Sequence, residues 1–118
     1  MIITYLKQQF FKVQQGDLVM AFNPISKDSK HKTSTKFGSD IVFITTNHPD
    51  YNGAEMVMHG DRMPFVIDGP GEYEVKDVFI KGLQTNTEID KRNYVTSIYS
   101  FVFDGLKICF LGPIENKS

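Results

Sequence analysis

An α+β fold that is mainly β is what this 118-residue sequence predicts, and three observations carry the prediction. Short runs rich in Ile, Val, Phe, Tyr and Thr recur along the chain, Gly, Pro, Asn and Asp punctuate them, and only one stretch has a helical pattern. The length suits one modest domain.

Taken in order, strands are expected over residues 2–6 (IITYL), 9–14 (QFFKVQ), 18–22 (LVMAF), 40–45 (DIVFIT), 64–68 (PFVID), 72–75 (EYEV), 78–82 (VFIKG), 94–103 (YVTSIYSFVF) and 106–111 (LKICFL). Tight hairpins are expected at Gln15-Gly16-Asp17 and at Asp104-Gly105, where glycine takes positive φ without a Cβ clash. The helical stretch, Asn52 to His59, is about two turns long and needs tertiary support to stand. Residues 26–36, SKDSKHKTSTK, hold four Lys, one Asp and one His with no apolar residue, and are expected as an exposed loop. Residues 84–93, QTNTEIDKRN, form a second polar stretch that predicts a loop of the same kind.

Composition narrows the partners more than the function. The formal net charge is −1, so no polyanionic partner is implied, and the lysines of 26–36 have no aromatic residues between them for stacking on bases. Neither nucleic acid nor membrane is expected, since no run approaches the ~18 apolar residues of a membrane-spanning helix. The single cysteine, Cys109, excludes an internal disulfide and is expected in the core; with no signal-peptide pattern at the N-terminus, a cytoplasmic setting follows as an expectation.

Chemistry gathers after the fourth strand. Ile41 to Ile44 are four consecutive apolar residues, the pattern of a strand buried on both faces, and the polar loop beyond them contains His48 and Asp50, two apart, as metal ligands are often offered. A catalytic zinc takes about three protein ligands and an open position for water. His48 and Asp50 provide two; His31, His59, Asp61, Asp68 or Glu72 could add a third, but no spacing obliges any of them to converge. The alternative is that His48 and Asp50 hydrogen-bond the loop backbone around Pro49. GPGEYE (Gly69 to Glu74) lacks the Lys and Ser/Thr of a phosphate-binding loop and predicts a turn, with Glu72 and Glu74 on one solvated strand face. No arrangement of a nucleophile with a base can be assembled, so no catalytic residue is assigned.

In its motifs the chain resembles the metallo-β-lactamase superfamily, whose H-x-H-x-D-H follows a buried strand. With Asp50 as the anchor, His48 falls on the second His, Thr46 stands where the family has its first His, and Tyr51 where it has its last. The opening strands IITYL and FFKV look like that family's first strand pair, Phe22-Asn23-Pro24 is similar to its I-D-P, and IDGPGEYEVKDVFIKG resembles the G-P-G-E-Y-E segment of a subgroup of predicted zinc-dependent hydrolases. A further family His meets Gln84 to Thr87, the Asp of a later G-D motif meets Pro113, and Asn23 replaces an Asp that would orient ligands.

What the resemblance implies is half of a metallo-β-lactamase-like αββα sandwich, with mixed or antiparallel sheets and at most one or two short helices. Residues 1–113 carry it as an N-terminal half domain, and 114–118 form a polar tail. Half a sandwich leaves apolar surface that soluble monomers rarely tolerate, so the expected partner is a second copy or a separately encoded second half. The function implied is non-catalytic, by self-association or pairing, with no cofactor. The alternative is a zinc-dependent hydrolase with a reduced or partner-completed site, in which His48 and Asp50 bind the metal and His59 and Asp61 stand in reserve. A third possibility is a self-contained small β domain without an active site.

Overall fold

In the computed structural model the described residues are 2–7, 10–26, 29–30, 37–48, 50–58, 64–89, 91–103 and 105–110. They form nine strands in two sheets and one 3₁₀ turn, Ala54–Val57, so the mainly β expectation holds. The chain divides into two compact units, one of Met1–Ile44 with His48–Ile67 and one of Thr45–Asn47 with Asp68–Ser118.

The first unit holds a mixed sheet of β1 (Ile2–Lys7), β2 (Phe10–Gln15), β3 (Leu18–Phe22), β4 (Ile41–Phe43) and β5 (Phe65–Ile67), in that spatial order. β1, β2 and β3 pair antiparallel, and β4 runs parallel to both of its neighbours. A strand flanked by parallel partners must reject water on both faces. Ile41, Val42 and Phe43 are accordingly fully buried. In register, Ala21, Val42 and Val66 share one face, where Ala21 and Val42 join Phe10, Ile25, Ile44 and Val57 in a core. Phe22 and Phe43, neighbours on the opposite face, stack at 4.5 Å. Asp40 aligns the strand starts: its carboxylate accepts the Val19 amide at 2.9 Å, its own amide donates to the Val19 carbonyl at 2.8 Å, and its carbonyl takes the Phe65 amide at 2.9 Å.

The second unit holds an antiparallel sheet, β6 (Gly71–Val75), β7 (Val78–Ile89), β8 (Arg92–Phe103) and β9 (Leu106–Phe110). Beside β8, Thr46 pairs with Thr96, the Thr45 carbonyl accepts the Ser97 amide at 2.7 Å, and the Thr46 hydroxyl donates to the Val95 carbonyl at 3.1 Å. Tyr99 is fully buried there, and burial raises its phenol well above the ordinary 10.0, partly opposed by a hydrogen bond with the Ser97 side chain.

Four expectations are corrected. Residues 84–93 are not a loop: β7 and β8 run on to Ile89 and Arg92, because Thr85, Thr87 and Ile89 meet Thr96, Tyr94 and Arg92 in a continuous ladder, and threonine suits a strand whatever its polarity. The helix over 52–59 shortens to the four-residue 3₁₀ turn, whose C-terminal end is tied by Ser39 donating to the Val57 carbonyl and by a bridge between Gly38 and Met58. Cys109 is exposed, not core: β9 is an edge strand, and alternation turns Cys109 and Lys107 outward while Ile108 and Phe110 are half-buried. The stretch 26–36 is not uniformly exposed either, since Ser26 and Ser29 are buried; residues 27, 28 and 31–36 lie outside the described residues, as do Asp104 and the 114–118 tail.

Candidate metal centre

β4 delivers the chain into the loop that carries His48 and Asp50. Within the first unit this loop is tightly bound: the Gly53 amide donates to the Pro24 carbonyl at 2.7 Å, and a Cβ on Gly53 would stand 2.5 Å from the backbone of Ile25 and Ser26, so no other residue fits there. Asn23, fully buried at φ 49, sets the turn before it, and its amide donates to the Phe43 carbonyl at 2.8 Å. Left-handed backbone of this kind suits Asn far better than a β-branched residue. The side chain read as a lost ligand-orienting carboxylate therefore sits at a strand-end turn.

His48 is 7% exposed and Asp50 is half-buried, and the structure brings the two together, with Nδ1 and Oδ2 3.7 Å apart. What joins them is the backbone. The Asp50 amide donates to His48 Nδ1 at 3.0 Å, and the Tyr51 amide donates to the His48 carbonyl at 2.8 Å. The Asp50 carboxylate in turn accepts a hydrogen bond from the buried hydroxyl of Ser29, and the Tyr51 ring leans on the imidazole at 5.5 Å. Ser26 makes a parallel bond, donating to Glu55 at 3.1 Å. The serines escaped sequence reasoning because lysines surround them; the Ser-x-x-Ser spacing, closed by the Ser29 amide donating to the Ser26 carbonyl at 3.0 Å, was the available signal.

A ligating imidazole gives one nitrogen to the metal and donates its other N–H to an acceptor. His48 does the reverse. Because Nδ1 accepts an amide proton, the neutral ring carries its own proton on Nε2, and neither nitrogen offers a lone pair to a cation while that bond stands. The residues in place therefore do not fit a zinc ion. Among the described residues no group of three His, Cys, Asp or Glu could hold a metal. Asp68 and Glu72 belong to the second unit, Glu72 and Glu74 lie on the exposed face of β6 as expected, and Tyr73 closes the GPGEYE turn by donating to the Gly69 carbonyl at 2.9 Å. His31, His59 and Asp61 lie outside the described residues.

Residues 2–118 match the family model described as the beta-lactamase superfamily domain, and the chain belongs to that family. Its structure is similar to that of a candidate Zn-dependent hydrolase of the metallo-beta-lactamase superfamily from Thermotoga maritima, with a TM-score of 0.69 and 25% identity over 93% of this chain and 48% of that one. It is also similar in fold to Igni18, a metallo hydrolase from Ignicoccus hospitalis, with a TM-score of 0.62 and 21% identity over 95% of this chain and 60% of the other. The chain thus spans about half the length of the first of these structures and matches about half of a metallo-β-lactamase fold. No curated protein matches it.

Proposed function

We propose that this chain is a non-catalytic member of the superfamily that acts by association, with a second copy of itself or with a separately encoded second half. One observation carries the reading: the Asp50 amide occupies His48 Nδ1, so the loop that would present ligands is instead a self-satisfied turn. Exposed apolar side chains, among them Ile2, Ile3, Tyr5, Phe79 and Leu83, support association. A single exposed cysteine accords with a reducing, cytoplasmic setting.

The second reading is a zinc-dependent hydrolase with a reduced or partner-completed site. It is favoured by the printed name of the Thermotoga maritima relative, a candidate Zn-dependent hydrolase. Zinc titration by calorimetry on wild type and His48→Ala, with elemental analysis of the purified protein, separates the two. The expected result is equally little metal in both; one firmly held zinc per chain that His48→Ala abolishes would overturn the non-catalytic reading.

A further inference from the structure

The first strand of the mixed sheet is an edge, and it is made unlike a protected one. Edges of soluble proteins are blunted by charge, proline, bulges or a covering element, because their unpaired N–H and C=O groups invite another strand. From Ile2 to Leu6 the edge strand β1 has neither charge nor proline, and Ile2, Ile3 and Tyr5 are 65%, 61% and 60% exposed. Its one irregularity, a register shift between Tyr5 and Lys7, falls at the end of the strand and leaves Ile2 to Tyr5 in regular pairing with Gln14 to Phe11 of β2.

We infer that β1 pairs antiparallel with β1 of a second copy, about a two-fold axis at Thr4, and joins the two mixed sheets into one. The inference rests on the association reading and names its surface. The sequence Ile-Ile-Thr-Tyr-Leu is nearly self-complementary in that register. Thr4 faces Thr4 of the second copy, and Ile3 faces Tyr5 on both sides of the axis, giving two aromatic to β-branched pairs and one threonine pair, combinations that stabilise cross-strand contact. A two-fold axis perpendicular to the sheet keeps each face on its own side, so the stripe of Ile3, Tyr5 and Phe11, where Tyr5 and Phe11 already lie 5.2 Å apart, continues across the join. Lys7, the strand's only charge, falls at the outer ends, away from its counterpart. A basic foreign strand would find no complementary charge on β1. A ladder this short buries less than the ~800 Å² per partner of a standard interface, so the pair dissociates on dilution.

The register supplies its own test. Thr4 is exposed and its neighbour on β2 is Lys12, so Thr4→Lys meets a like charge and Thr4→Glu an opposite one within the chain, while each variant also sets like charges directly opposite across the axis. Light scattering after size exclusion, over a range of concentrations, is expected to give a two-chain mass for wild type, a dissociation constant raised at least ~10-fold for each variant alone, and restored pairing in an equimolar mixture of the two. Unfolded variants would not be rescued by mixing. If both variants keep the wild-type mass, the strand pairing is wrong while association through another surface stands. A wild type that stays a single chain at its highest soluble concentration overturns the pairing and self-association together.

Discussion

β4 and the outer half of the β7–β8 hairpin are both regular strand, yet they are held by different physics. β4 is three residues long with no side chain in water, fixed by parallel partners on both sides and by the stacking of Phe43 on Phe22. The hairpin runs twelve residues on each arm, and toward its tip Gln84, Asn86, Glu88, Arg92 and Asn93 are exposed, as are Leu83 and Val95. Its order comes from the backbone ladder and from the Thr45–Asn47 segment alongside β8. Burial can fix a short strand; where burial is absent, length and pairing must do it.

The contrast can be broken most forcefully at its buried end. Phe43→Ala should cost about 4 kcal/mol in urea denaturation, the scale of removing an aromatic side chain from a close-packed core; a loss below about 1 kcal/mol would mean that β4 is not the centre of its sheet. Tyr99, at the buried base of β8, sharpens the comparison through pH. Its folded phenol holds its proton above the pH at which the unfolded chain gives it up, so this group's stabilisation is complete below pH ~10 and declines above it, by up to about 1.4 kcal/mol per pH unit. Tyr99→Phe should therefore flatten the alkaline fall of the melting temperature, while losing about 1 kcal/mol at neutral pH with the Ser97 hydrogen bond. The smallest effect belongs to the tip: Leu83→Thr should change stability by less than about 0.5 kcal/mol, and a larger loss would reveal burial of that side chain.

What the sequence made legible follows the same division. Ile41 to Ile44 announce a buried strand because an unbroken apolar run has few other uses, and the sequence places His48 and Asp50 in the loop beyond it, where their side chains stand 3.7 Å apart. Polar strands were harder. The stretch after Leu83 reads as a loop because it is polar, although strand register depends on the backbone and tolerates Gln, Asn and Glu as well as Thr. The strands expected over 72–75 and 78–82 bracket the turn from β6 to β7, but its form is not legible, since Lys76 and Asp77 both adopt positive φ without the glycine or asparagine that usually marks such a turn. At the candidate site the identity of the donors was readable, but the direction of one hydrogen bond was not. That direction depends on where the Asp50 amide points, which the loop's attachment to Pro24 and Ser29 decides.

The orientation of that single amide also sets what re-engineering would require. Supplying extra histidines or carboxylates around the loop would leave the imidazole facing the wrong way, with its proton on the nitrogen meant for the ion. The ring would first have to turn over, and the Asp50 N–H would need a replacement acceptor inside a segment whose neighbouring glycine leaves no space for even a methyl group. Building a metal site here would mean rebuilding the main chain before any donor is added.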